Sequence, residues 1–155
     1  MKGSGLIKMT SEPIKNVKRI LVGVDDSDDA QLAFRVAMRR AIDLDAQLYI
    51  VSILESHEMN VFQALNADYV HGQQKELEKH LEKYKKVAIE AGVKRVETVI
   101  AEGNPGETIV KNVIPEIKPD LLVIGALAKE GLKKYFGSQA AYMAKYAPIS
   151  VLVVR

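Results

Sequence analysis

Apolar residues are concentrated in short runs, separated by segments with a helical pattern. The runs are Arg19–Asp25, Gln47–Glu55, about Arg95–Ala101, Asp120–Gly125 and Ser150–Arg155. Within most of them hydrophobic residues, many of them β-branched, follow one another with few polar interruptions, which is typical of strands covered on both faces. The pattern therefore predicts a buried strand at each run.

Helical periodicity fills the intervals between the runs. It predicts helices over Asp28–Asp43, over Gln73–Ala91, after the turn Glu102–Gly106, and over about Gln139–Tyr146. Gly92 suits the position after a helix end. Pro115 is expected to end or bend its helix because it cannot donate the i→i−4 hydrogen bond. The segment His57–Gly72 is predicted to be a loop with a helical turn.

The alternation of strands and helices predicts the fold class. It favours a single α/β domain with an open, five-stranded parallel sheet of Rossmann-like type, with helices on both faces. Residues 17–155 would form this domain, and residues 1–16 a flexible tail. A chain of 155 residues is long enough for one such core, and it carries no internal repeat or linker.

Composition narrows the function without naming it. The net charge of +2 does not indicate a partner that is a polyanion such as nucleic acid, and no apolar stretch is long enough to span a membrane. Cysteine is absent, which excludes disulfides, thiolate metal sites and cysteine nucleophiles. Together with the lack of a signal-like apolar segment, this favours a cytoplasmic protein.

The segment from Gly125 to Gln139 is the richest in candidate chemistry. It leaves the fourth strand and enters the last helix at Gly137 and Ser138, where Ser138 is a good N-cap candidate. The first turn beyond it contains Gln139 and no acidic residue. A neutral first turn after a glycine suits an external anion such as phosphate, because helix N-termini attract negative charge. The alternative is an ordinary capped helix after a loop.

The acidic cluster Asp25–Asp29 follows the first strand. Ser27 or a neighbouring aspartate can cap the next helix, which explains most of the cluster better than a metal site does. Asp25 differs, because it stands where the strand ends. In open α/β sheets ligands bind at the carboxyl ends of strands where the strand order reverses. For the order 3-2-1-4-5, Asp25 and Gly125 would face each other across that crevice.

These features together resemble the universal stress protein family over nearly the whole chain, Lys18–Arg155. The supporting segments are the run Arg19–Ser27, Gly103–Pro105, Asp120–Gly125, Gly137–Ser138 and the ending Ala147–Arg155. The resemblance implies a five-stranded sheet of the adenine nucleotide alpha hydrolase-like type and, in one branch of the family, bound ATP, here with Mg²⁺.

The resemblance also implies roles for particular residues. The acid matching Asp25 holds the ribose, and the start of the second strand, near Leu48, borders the adenine. A loop of pattern Gly-x-x-Gly-(nine residues)-Gly-Ser/Thr wraps the phosphates, and Gly125, Gly137 and Ser138 match it, with Gln139 following. The second glycine is replaced by Ala128, and only eight residues separate it from Gly137. An alanine forced to positive φ costs about 1–2 kcal/mol, so the altered loop argues against nucleotide binding.

The last strand, Val151–Arg155, ends the sequence as an apolar edge. An uncovered apolar edge is prone to pairing, and an isologous homodimer would cover it. Members of the family commonly dimerise through this strand. The alternative is a short monomeric edge that Arg155 blunts.

Other functional templates are absent. The sequence contains no Walker loop, no Gly-x-Gly-x-x-Gly, and no Gly-x-Ser-x-Gly elbow, and its histidines His57, His71 and His80 have no metal-like spacing. No residue is an evident catalytic base. The expected function is a homodimeric, ATP-binding stress-response sensor or switch with little or no hydrolysis. The alternative is a dimeric interaction module of the same fold that binds no nucleotide.

Overall fold

A five-stranded parallel sheet forms the centre of the computed structural model, which describes residue 5 and residues 16–55, 61–127 and 137–155. Its strands are β1 (Arg19–Gly23), β2 (Gln47–Leu54), β3 (Val96–Glu102), β4 (Leu121–Gly125) and β5 (Ser150–Val154). Their order is β3-β2-β1-β4-β5, and every neighbouring pair is parallel. The predicted fold class and strand order are confirmed.

Helices cover both faces of this sheet. They are α1 (Asp28–Leu44), α2 (Val61–Leu65), α3 (Ala67–Ala91), α4 (Pro105–Thr108), a π-helical turn (Ile109–Val113), α5 (Ile114–Ile117) and α6 (Ser138–Tyr146). Alternate residues of β1 point to opposite faces: Ile20 and Val22 pack with α1 and α3, whereas Leu21 packs with the π-helical turn, α5 and α6. The sheet is therefore the middle of three layers with two hydrophobic cores.

The third helix begins earlier than the sequence pattern predicts. It starts at Ala67 rather than at about Gln73, and the side chain of Asn66 accepts a hydrogen bond from the Tyr69 amide. Asn is a preferred N-cap residue, because its side chain satisfies an amide that has no partner within the helix. The far end is as predicted, since Gly92 adopts a left-handed conformation with φ of 111°.

The helical segment that contains Pro115 does not end at the proline. It continues to Ile117 and is capped by Lys118, whose amide donates to Ile114 at 2.8 Å. The π-helical turn precedes Pro115. A proline ring collides with the carbonyl four residues before it in a regular α-helix, and a π-turn changes the local hydrogen-bond register. The segment thus accommodates the proline by a local change of helix type.

The point of strand reversal lies between β1 and β4. Ile20 pairs with Leu48 of β2 on one side and with Leu121 of β4 on the other. The chain leaves β1 toward β2 and leaves β4 toward β5, in opposite directions along the sheet. These diverging connections open a crevice between β1 and β4 at the carboxyl ends of the strands. Within the described part of the chain, no helix is both long enough and apolar enough to cross a membrane.

Candidate functional site

The crevice at the carboxyl ends of β1 and β4 is a cavity of about 160 Å³. Its lining includes Asp25 and Gly125, which the sequence places on opposite sides of it, and also Gly137 and Gln139 from the start of α6. Apolar side chains of Val51, Ile53, Ile109 and Met143 form further parts of the wall. Four of the predicted site residues therefore meet at one cavity.

Asp25 is held by the turn that enters α1. Its Oδ1 accepts hydrogen bonds from the Ser27 hydroxyl at 2.5 Å and from the Ser27 amide at 3.1 Å. Oγ of Ser27 in turn accepts from the Ala30 amide at 3.1 Å, which makes Ser27 the N-cap of α1. The predicted cap is thus confirmed, and the same hydroxyl orients the Asp25 carboxylate.

Asp26 joins this turn to α3. Its backbone is left-handed, with φ of 65°, a conformation that costs a non-glycine residue about 1–2 kcal/mol. Its carboxylate oxygens lie 3.3 Å from Nδ1 of His80 and 3.4 Å from the hydroxyl of Tyr84. Burial raises the pKa of the Tyr84 phenol above its ordinary value, and the charges of Asp26 and Asp25 and the hydrogen bond to Asp26 raise it further.

Gly125 is required by packing against α1. A Cβ at this position would lie 2.7 Å from the carbonyl carbon of Asp29 and 2.8 Å from the nitrogen of Ala30. Both are backbone atoms that cannot rotate away. The glycine therefore has a structural reason that is independent of any ligand, although Gly125 also lines the crevice.

The start of α6 differs in detail from the prediction. The helix begins at Ser138, and its N-cap is Gly137, which provides no side-chain cap. The prediction that Ser138 is the N-cap is therefore wrong by one residue. The amide of Gly137 donates to the Ala126 carbonyl at 2.9 Å, so the chain enters α6 from a fixed point beside β4.

Gln139 connects two helix starts. Its Oε1 accepts a hydrogen bond from the Gly106 amide at 2.8 Å, and a Cβ at Gly106 would lie 2.8 Å from that oxygen. The carboxamide thus satisfies an amide of the first turn of α4 that has no partner within its own helix. Gln139 lines the crevice, but its oxygen already has a structural task.

Leu48 is not part of the site. Its side chain is 0% exposed in the core between the sheet, α1 and α3. It lies near the amino end of β2, whereas the crevice lies at the carboxyl ends of the strands, so the prediction that it borders a ligand is wrong. Val51, Ile53 and Glu55, from the second half of the same segment, line the crevice instead. Strand polarity alone would have favoured that half.

Asp29 is a residue whose position the sequence did not reveal. Its Oδ2 accepts a hydrogen bond from the Leu127 amide at 3.2 Å, which links α1 to the chain just after β4. In the sequence it is indistinguishable from Asp28 as a first-turn acid. Ala128, the substituted position of the expected phosphate loop, lies outside the described residues.

Charge around the crevice is acidic among the described residues. Asp25 and Glu55 line it, and none of the described lining residues is Lys, Arg or His. Groups of three or more metal-ligating side chains do not occur in residues 16–55, 61–127 and 137–155. Within these ranges, anion recognition would therefore depend on backbone amides and on the start of α6.

Comparisons with known proteins agree with this architecture. The profile of the universal stress protein family matches residues 16–155. A Staphylococcus aureus (strain USA300) relative named for this family is 35% identical over 139 residues, which are 89% of this chain and 84% of that protein.

Two solved structures share the fold. The universal stress protein UspA from Lactobacillus plantarum superposes with a TM-score of 0.81 at 23% identity, covering 92% of this chain and all of that one, 100%. The universal stress protein from Archaeoglobus fulgidus in complex with dAMP superposes with a TM-score of 0.66 at 21% identity, covering 91% of this chain and 100% of that one. At these identities the two structures support the fold alone.

Proposed function

The chain belongs to the universal stress protein family, and on this premise we propose that it is a stress-response sensor or switch that binds an adenine nucleotide. ATP with Mg²⁺ is the proposed ligand, and little or no hydrolysis is expected. The observation that carries the proposal is the Asp25 carboxylate, which the Ser27 hydroxyl orients at the crevice between β1 and β4. A structural relative holds dAMP, which supports the same ligand class.

The crevice offers a fitting surface for each part of such a ligand. The apolar side chains of Val51, Ile53 and Met143 suit a purine base. Asp25 suits ribose hydroxyls, since a carboxylate accepts hydrogen bonds from both. The neutral first turn of α6 suits phosphate, because its amides point outward from a positive dipole end. The amide and hydroxyl of Ser138 would hold phosphate oxygens there, Gly137 would let them approach the backbone, and Ala128 would belong to the same loop.

Magnesium would be held mainly by phosphate oxygens. Mg²⁺ commonly binds through one or two carboxylates plus substrate phosphates and keeps several waters. The described lining residues provide two carboxylates, Asp25 and Glu55, and Asp25 is assigned here to the ribose. The metal would offset phosphate charge beside this acidic wall.

Weak or absent hydrolysis follows from the chemistry of the described lining. A general base must reach the attacking water. Of the two carboxylates in the described lining, Asp25 is already engaged with Ser27, and Glu55 is the one that would bind Mg²⁺. Neither His nor Lys occurs among the described lining residues. Turnover above about 1 s⁻¹, an ordinary enzyme rate, would contradict this part of the proposal.

We also propose that the protein is a cytoplasmic homodimer that pairs through β5. This strand pairs with β4 on one side, and Val151, Leu152, Val153 and Val154 are only partly buried in the single chain. Pairing with a second copy would cover them. The absence of cysteine fits a reducing compartment.

A second candidate is a dimeric interaction module that binds no nucleotide. It is favoured by the structural tasks that several site residues already have. Gly125 packs against the α1 backbone, and Gln139 binds the Gly106 amide. Each would be needed for folding even in a protein without a ligand.

Substitution of Asp25 separates the two candidates. Asp25→Ala should weaken Mg-ATP binding in a calorimetric titration by about tenfold or more, because hydrogen bonds to a charged group contribute about 1.5–3 kcal/mol. Asp43→Ala, at the opposite end of α1, is the matched control and should bind as the wild type does. If no form binds, the interaction module is the better description, and if wild-type affinity survives Asp25→Ala, the ribose role proposed for Asp25 is wrong.

A further inference from the structure

A hydrogen bond between Asp29 and Leu127 links the first turn of α1 to the chain after β4. The Leu127 amide donates to Oδ2 of Asp29 across 3.2 Å, and the two residues are 98 positions apart in sequence. Asp29 is half-buried. It is thus the side chain through which α1 fixes the chain as it leaves the strand.

The contact lies directly behind the wall of the crevice. Leu127 and Ala30, the residue after Asp29, both line the cavity. Gly125 approaches Asp29 so closely that a Cβ there would lie 2.9 Å from the Cβ of Asp29. The carboxylate is therefore held close to the start of the segment that is proposed to carry the phosphates.

Stabilisation of the helix dipole does not account for this contact. Asp28 and Asp29 are both first-turn acids of α1 and both favour the positive end of that helix. Of these two, Asp29 alone accepts the amide of a distant segment within the described part of the chain, whereas Asp28 is exposed. Asp29 therefore differs from Asp28 in that its carboxylate also binds the chain after β4.

We propose that Asp29 is a positioning residue of the nucleotide site that also sets its preference among phosphates. Its carboxylate fixes the Leu127 amide, and its negative charge disfavours ligands with more phosphate groups. The proposal rests on the proposed function. No described lining residue is a cation that could offset the charge of Asp29. Asp25 and Glu55, which line the crevice, are also acidic.

The two effects of Asp29 can be separated by two substitutions. Asp29→Asn keeps a side-chain oxygen that accepts from Leu127 and removes the charge. Asp29→Ala removes both. Asp28→Asn is the matched control, because it removes one charge from the same helical turn and leaves the Leu127 contact intact.

Amide hydrogen exchange of the ligand-free protein tests the positioning role. We expect the Leu127 amide to exchange at least about tenfold faster in Asp29→Ala, since a lost hydrogen bond exposes the amide. Exchange in Asp29→Asn and Asp28→Asn should stay within about threefold of the wild type. Unchanged exchange at Leu127 in Asp29→Ala would overturn the positioning role, whether or not a nucleotide binds.

Calorimetric titration with ATP and with AMP in the absence of Mg²⁺ tests the preference among phosphates, because bound Mg²⁺ would bring the net charge of ATP close to that of AMP. Asp29→Asn should raise ATP affinity by about threefold to tenfold, as expected for removal of a nearby like charge, and raise AMP affinity less. Asp29→Ala should bind ATP more weakly than Asp29→Asn does. An equal gain in ATP affinity in Asp28→Asn would overturn the proposal, because removal of either first-turn charge of α1 would then have the same effect. If the wild type binds neither nucleotide, the proposed function fails and the preference fails with it.

Discussion

The hydroxyl of Ser27 donates to Oδ1 of Asp25 at 2.5 Å while its oxygen accepts the Ala30 amide at 3.1 Å. One side chain therefore caps α1 and orients the acid of the crevice. If the proposed function is right, folding stability and nucleotide binding are coupled at this hydroxyl, which makes Ser27 a residue to test.

Ser27→Ala should reduce both the unfolding free energy and the affinity for Mg-ATP. Loss of an N-cap costs about 0.5–2 kcal/mol of unfolding free energy, and the Asp25 carboxylate loses the donor that orients it. Ser27→Thr keeps the hydroxyl and should retain most of both. Chemical denaturation and titration with Mg-ATP measure the two effects. Loss of stability in Ser27→Ala without any loss of affinity would contradict the orienting role.

Gly125→Ala should destabilise the fold whether or not a ligand binds. The new methyl would lie 2.7–2.8 Å from backbone atoms of Asp29 and Ala30, and overpacking of this kind costs about 1–3 kcal/mol. Gly72→Ala is the control: it lies within α3 with no atom within 4 Å of the new methyl. That change should stabilise the helix by about 0.5–1 kcal/mol. Denaturation curves of the ligand-free proteins compare them, and equal stabilities would contradict the packing argument.

Tyr84 should make stability depend on alkaline pH. Its pKa is higher in the folded state than its ordinary value, because of burial and the nearby Asp26. A raised folded pKa gives stability that is fully present below the unfolded value of about 10 and is lost as pH rises through the folded pKa. Between about pH 9 and about pH 11, Tyr84→Phe should lose less unfolding free energy than the wild type, because phenylalanine cannot ionise. Identical pH profiles would contradict the assignment.

The proposed dimer predicts a specific effect at β5. Val151→Lys would place a charge in the strand that is proposed to pair with a second copy, so the protein should sediment near its monomer mass of 17.1 kDa. Val61→Lys on α2, where the valine is 70% exposed, is the control and should leave the dimer intact. Sedimentation equilibrium distinguishes the masses, and a wild-type protein that is already monomeric would contradict the proposal.

Features encoded by local pattern could be predicted from the sequence. The continuous apolar runs and their alternation with helices indicated the sheet, and Gly92 marked the end of α3 because left-handed backbone favours glycine. The Ser27 cap followed from residue preference at helix starts. Each of these depends on neighbours in sequence.

Features that depend on distant contacts could not be predicted in the same way. The task of Asp29 appears only when α1 and β4 are brought together, and Gly125 owes its identity to the same contact. The position of Leu48 was misjudged because a buried strand is apolar along its whole length, so composition does not distinguish its two ends. Strand polarity, and not residue type, decides which end faces the crevice.

Titration of nucleotide-free protein with Mg-ATP, with AMP as the comparison ligand, decides whether the crevice binds a nucleotide. We expect binding at micromolar concentrations, a binding free energy on the order of 8 kcal/mol, that weakens when the β- and γ-phosphates are missing. No heat and no thermal stabilisation at millimolar ATP would contradict it and leave the fold as an interaction module.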